Sequence, residues 1–195
     1  MKQKLSQTLG AGIEFSRNVD YSDYIYDTQQ MIELSGKPYH SKRNFITRFS
    51  NRYDYEYLPI TSANVAETMP LIEKWFAEHP GYKSEMFDES AAILELVRNF
   101  DALGVKGAAL RVDGDIVAVS FGELLTPEMA HILIEKGDTT YPGVYPVINR
   151  DFLQNEWSDT KFVNREEDMG LEGLRKAKES YHPAYKNEVY IGRFK

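Results

Sequence analysis

Short apolar runs alternate with polar punctuation along this chain, and the period of each run predicts its element. From Tyr53 to Ile60, Tyr53, Tyr55 and Tyr57 alternate with Asp54 and Glu56, the period of two of a half-buried strand. Thr61-Ser62 offers caps. Leu71, Ile72, Trp75 and Phe76 then form the apolar face of a helix over Val65–Glu78, with Pro70 near a turn boundary and His79-Pro80-Gly81 as its stop. Ile93, Leu94, Val97 and Phe100 mark a second helix, from about Asp88 to Leu103. Gly107–Val112 and Ile116–Gly122 flank Asp113-Gly114, a tight-hairpin signal. A strand over Met129–Glu135, a helix over Val144–Trp157, a strand over Lys161–Asn164, a helix over Leu171–Ser180 and a strand over Glu188–Phe194 complete the pattern.

The N-terminal quarter is less regular. Residues 1 to 22 show no sustained period and are expected to form an arm. Gln29–Leu34 reads as a short helical turn stopped by Gly36-Lys37-Pro38. From Ser41 a helix is expected, with Phe45, Ile46 and Phe49 inward and Lys42, Arg43, Arg48 and Arg52 on the rest of its surface. Hairpin strands come first and a strand-helix-strand crossover later. This order predicts an α+β fold, a mixed sheet of about six strands flanked by helices. The expected organisation is an arm with a leading helix over 1–52 and one domain over 53–195.

Composition narrows the class. In 195 residues, 42% are hydrophobic and 13% aromatic, enough for a packed core. No apolar run approaches membrane-spanning length, no signal peptide is visible and there is no cysteine, which together favour the cytoplasm. The net charge of -7 argues against a general nucleic-acid binder, while leaving local basic clusters such as Lys42, Arg43 and Arg48. His40, His79, His131 and His182 show no metal-ligand spacing.

One segment stands out chemically. Asn164-Arg165-Glu166-Glu167-Asp168 packs three acids beside an Asn-Arg pair between a predicted strand and a predicted helix, and that helix carries Arg175, Lys176 and Lys178. Helix capping by Asp168, with Glu172 in the first turn, accounts for part of this acidity but not for all of it.

The order of elements resembles the acyltransferase fold of the Gcn5-related N-acetyltransferases. The motifs narrow it further: Asp23-Tyr24-Ile25-Tyr26, Leu34-Ser35-Gly36-Lys37, Lys42-Arg43-Asn44, Glu135-Lys136, the 164–168 segment, and Gly170-Leu171-Glu172-Gly173-Leu174-Arg175. Together they resemble bacterial proteins related to the C-terminal domain of phosphatidylglycerol lysyltransferase. That family commonly carries two tandem acyltransferase-like halves, and this chain is expected to hold the second. Either a partner chain or a second copy would then replace the first, or this version works without it.

The resemblance implies transfer of an aminoacyl or acyl group to a small-molecule or lipid acceptor, with aminoacyl-tRNA as donor. Acetyl-CoA is disfavoured, because the phosphate-binding loop position holds Lys136–Gly143, where Pro142 removes a donor and Asp138 adds a negative charge. Lys136 is the expected oxyanion or phosphate contact; the plainer alternative is a solvated strand-end lysine. Asp168 and Glu167 are expected to hold the donor's amino group. Asn164, Arg165, Glu166, Arg175, Lys178, Lys42 and Arg43 are the expected substrate contacts, although Arg175 paired to Asp168 is an equal alternative. Tyr24 and Tyr26 read as packing. A different class stays open: a non-catalytic ligand-binding or regulatory module that retains the fold. An enzyme should gather Lys136, Asn164, Asp168 and Arg175 in a deep cleft, whereas a binding module would fill it with Tyr141 or Tyr145.

Overall fold

A computed structural model describes residues 12–80 and 89–194. The elements in chain order are β1 Ile13–Asp27, α1 Thr28–Glu33, α2 His40–Arg52, β2 Tyr55–Ile60, a 3₁₀ turn Val65–Thr68, α3 Met69–Glu78, α4 Glu89–Arg98, α5 Phe100–Leu103, β3 Lys106–Val112, β4 Asp115–Thr126, β5 Met129–Gly137, α6 Val144–Glu156, β6 Phe162–Asn164, α7 Glu172–Glu179 and β7 Tyr185–Phe194. Gly81 and Asp88, expected ends of two helices, and residues 1–11 of the expected arm lie outside the described residues. The chain forms two compact units, residues 27–164 and residues 1–26 with 165–195, and the expected 52/53 boundary falls inside the first of these.

The larger unit is an antiparallel meander, β2-β3-β4-β5, continued by β6 parallel to β5. The expected hairpin forms at Asp113-Gly114, both at positive φ, as a two-residue turn with the twist of its strands requires. One face of the sheet is covered by α3 and α4. Ile72, Trp75, Phe76, Ile93 and Phe100 pack there on Ala109, Val119, Phe121 and Ile134. The other face carries α6, whose Val147, Ile148, Phe152 and Leu153 are buried, and α1 and α2 pack on α6.

The helix expected to run unbroken to Leu103 breaks at Asn99. The Asn99 side-chain amide bonds back to the Glu95 carbonyl at 2.9 Å, competing with the helical ladder. Pro70 sits in the first turn of α3, where a missing N–H costs nothing, and the residues before it form the 3₁₀ turn instead of helix.

The smaller unit corrects the arm. Residues from Ile13 form strand β1, antiparallel to β7. Its period of two is present at Ile13, Phe15, Val19 and Tyr21, then shifts phase to Tyr24 and Tyr26. The register breaks at the same place, between Asn18 and Asp23. Ser22 patches this bulge: its hydroxyl donates to the Asn18 carbonyl at 2.8 Å and accepts from the Val189 N–H at 3.3 Å.

Candidate functional site

Lys136 sits on the penultimate position of β5, and it is not a solvated strand end. It is 6% exposed. Its ammonium lies 2.8 Å from the Glu89 carboxylate and 3.8 Å from the centroid of the Trp75 ring, a paired cation over an aromatic face. β6 pairs with β5 only over Met129–His131 and ends at Asn164, opposite His131. Among the described residues, Ile132–Gly137 therefore has a strand partner on the β4 side alone. Asn164 is five positions short of Lys136 along this ladder, about 17 Å at the rise of a strand. The expected convergence of Asn164 on Lys136 is thus corrected: the ladder separates them.

The loop after β5 is bound up internally. Burial opposes ionisation of Asp138, but Lys74 at 2.6 Å, with the Thr140 hydroxyl at 2.6 Å and N–H at 2.9 Å, holds its carboxyl below the usual range. Its charge is compensated, so the argument that Asp138 repels a phosphate is replaced by a steric one. The Val144 N–H donates to the Tyr141 carbonyl at 3.1 Å, and Pro146 has no N–H to offer. Gly143, at φ +97, lies so close to α2 that a Cβ there would be 2.7 Å from the Phe45 carbonyl oxygen. The backbone of α2 therefore lies against Gly143. Replacing Gly143 by alanine adds a clash to a left-handed backbone and is expected to destabilise the protein by more than about 1 kcal/mol, read as a lower denaturation midpoint.

Tyr145, one of the residues expected to fill the cleft of a binding module, accepts from Trp75 Nε1 at 3.0 Å and lies against Gly137.

In the smaller unit the acidic segment is organised around Asp168, which is fully buried. Its Oδ1 accepts from the Gly170 N–H at 2.9 Å and from Arg175 at 2.8 Å. Its Oδ2 accepts from Arg175 Nε at 2.8 Å and the Tyr24 hydroxyl at 2.5 Å. Those four donors use its acceptor capacity. The Arg175 bonds, against the opposing effect of burial and with help from Tyr24 and Gly170, hold the carboxyl well below the usual carboxylate range. Asp168 is a positioning residue here, not the N-cap of α7 and not a group left to grip a substrate amine; Leu171 is the N-cap residue.

Arg175 also reaches Asp20 at 2.7 Å, the residue that the β1 bulge presents. Lys186 donates to the Tyr24 hydroxyl at 2.8 Å and lies 4.0 Å from its ring centroid. Tyr24, read from the sequence as packing, thus links Lys186 to Asp168, and its phenol is pushed up by burial and the Asp168 bond.

The other expected contacts resolve individually. Lys178 donates to the Arg165 carbonyl and, at 3.2 Å, to the Glu166 carbonyl, tying the loop to α7. The Arg165 guanidinium lies over Tyr181, 5.1 Å from the ring centroid, with Tyr26 beside it at 5.9 Å. Glu166 takes a positive φ, and its carbonyl accepts from the Tyr24 N–H at 3.0 Å. Glu167 is half-buried. Arg43 donates through one guanidinium nitrogen to the Leu34 and Gly36 carbonyls, closing the end of α1; Lys42 is half-buried beside it. Glu89, Trp75, Asp20 and Lys186 were not singled out from the sequence, because each is brought in by long-range packing that local pattern does not encode.

Residues 2–192 match the family described as phosphatidylglycerol lysyltransferase, C-terminal. The chain belongs to that family. A conserved protein of unknown function from Bacteroides thetaiotaomicron is 38% identical and superposes with a TM-score of 0.93, over 100% of this chain and 67% of that one. The L-PGS of Bacillus licheniformis shares the fold at 18% identity and a TM-score of 0.69, over 97% of this chain and 63% of that one. An uncharacterised protein of Mycoplasmoides gallisepticum is 25% identical over 178 residues, 87% of this chain. The chain spans 55% of the length of that curated relative. Family and fold together make this an acyltransferase-like domain. Among the described residues no helix is long and apolar enough to cross a membrane.

Proposed function

We propose that this protein transfers an aminoacyl group from aminoacyl-tRNA to a small-molecule or lipid acceptor. The observation that carries the reading is the loop after β5. In acyl-CoA-dependent members of the fold this position presents backbone N–H groups to a pyrophosphate at a helix N-terminus. Here Gly143 meets the Phe45 carbonyl, the Val144 N–H is spent on Tyr141 and Pro146 has none. Val144 and Pro146 thus offer a diphosphate no N–H, whereas an aminoacyl ester does not need one. The B. licheniformis protein is itself called L-PGS, which fits an aminoacyl donor.

Lys136 supplies the cation for the developing oxyanion of ester aminolysis or alcoholysis, from beside the open edge of β5. In the smaller unit, Glu167 offers a carboxylate of the kind an ammonium group takes. Arg175, Tyr24 and Lys178 hold the loop that carries Glu167.

One observation favours a second reading, a ligand-binding module without turnover: Tyr145 is hydrogen-bonded to Trp75, the ring beneath Lys136. The two readings separate in one assay. The protein is incubated with a panel of charged tRNAs and with acetyl- and longer acyl-CoAs, and acceptor-dependent loss of the ester or thioester is followed. The proposal expects turnover with at least one aminoacyl-tRNA and none with the thioesters. Turnover with an acyl-CoA alone overturns the donor; no turnover with any donor supports the binding module.

A further inference from the structure

The helix that closes the phosphate loop has an outer face the proposed reaction has not yet used. Over its 13 residues, α2 contains no acid at all, in a chain with 30 acidic residues and a net charge of -7. Its exposed positions His40, Asn44, Arg48 and Arg52 recur every four residues, and Thr47 and Asn51 lie beside them. Arg48 and Arg52 form no ion pair with any described residue; Arg52 is exposed and rests 5.3 Å from the Tyr53 ring centroid. Ordinary solvated helix faces mix charges of both sign, since opposite charges stabilise neighbouring turns. This one offers two arginines amid amide, hydroxyl and imidazole hydrogen-bonding groups.

The same helix meets the loop after β5 at Gly143, through the Phe45 backbone and the Phe49 side chain, and Tyr53, which follows α2, packs on Tyr141 with ring centroids 5.1 Å apart. The helix that lies against this loop thus also carries a cationic, hydrogen-bonding surface.

We propose that this face of α2 binds the phosphodiester backbone of the donor RNA, with Arg48 and Arg52 as the phosphate contacts and Asn44 and Asn51 as sugar-phosphate hydrogen-bond partners. The proposal rests on the aminoacyl-tRNA reading and assigns to it the surface that holds the nucleic acid. Charge complementarity selects a polyanion. The scarcity of apolar side chains selects RNA over an anionic bilayer: Phe45 is the single large apolar residue exposed on α2, and an interfacial helix needs a whole apolar face. Arginine with amide side chains is the composition that positions a protein on phosphates and sugars.

The test is equilibrium binding of uncharged tRNA to the full chain over a salt series, for the wild type, for Arg48→Ala/Arg52→Ala and for Arg98→Ala. Arg98 is an exposed cation paired to Glu95 and serves as the control. Both α2 side chains are exposed, so melting curves should not move. The double variant is expected to bind at least about tenfold more weakly and to lower the salt slope by about one unit per arginine, with Arg98→Ala unchanged. A double variant that binds tRNA as the wild type does overturns this surface and leaves the donor reading standing. A wild type that binds no tRNA overturns both. A loss confined to phosphatidylglycerol vesicles, with RNA binding intact, also overturns the RNA surface.

Discussion

Replacing Lys136 by methionine is expected to slow aminoacyl transfer by about 100- to 1,000-fold while leaving the protein folded, the loss typical of removing one oxyanion-stabilising group. Methionine keeps an unbranched apolar stem over the Trp75 ring. The Glu89 carboxylate that loses its partner is 32% exposed and can be rehydrated, so the melting temperature should change little. Single-turnover rates at saturating donor separate the roles. If Lys136 acts on the transition state, the transfer rate falls and donor affinity does not. If it serves only as an ion pair, the methionine variant transfers at the wild-type rate.

Asp168 should behave in the opposite way. Replacing it by alanine strands the buried Tyr24 hydroxyl, the Gly170 N–H and the Arg175 guanidinium together, and is expected to cost about 3 kcal/mol of stability. Activity would then fall with the fold, and a Lys136 variant and an Asp168 variant would be told apart by their melting curves. The pH dependence follows from the same cluster. The folded carboxyl titrates below its unfolded value, so its contribution is fully present above pH of about 4 and is lost progressively as pH falls further. Replacing Arg175 by alanine removes the main cause of that depression. The acid limb of the stability curve should therefore lie closer to pH 4 and the midpoint at neutral pH should drop. An acid limb unchanged in the Arg175 variant would mean that Asp168 is held by its other partners.

The elements of the larger unit were legible because their cause is local. Apolar period, the Asp113-Gly114 turn and the stop near His79 each act within a few residues. The strand from Ile13 was not, because the bulge at Asn18–Asp23 shifts the phase of its alternation and two half-patterns look like none. The candidate site was legible in its residue types more than in its geometry. Asp168 and Arg175 were marked as a pair or as ligands, and three-dimensional packing decides for the pair: Tyr24 and Lys186 come from strands distant in sequence. Lys136 was marked as a candidate contact, but its partners, the Trp75 ring and Glu89, lie on two helices that no motif links to it. Arg43 shows the reverse: a cation at a helix start that local rules mark as an anion contact also donates to two carbonyls of the preceding turn.

The proposed exclusion of a CoA diphosphate by α2 and the loop after β5, with an aminoacyl ester as the donor, has a direct test. It is single-turnover transfer from tRNA carrying a labelled amino acid, run beside an equal concentration of labelled acetyl-CoA, for wild type and Lys136→Met. Label is expected to leave the tRNA ester in the presence of an acceptor, the Lys136 variant to suppress this, and acetyl-CoA to be neither bound nor consumed. Saturable consumption of acetyl-CoA, with the charged tRNA left intact, would contradict it.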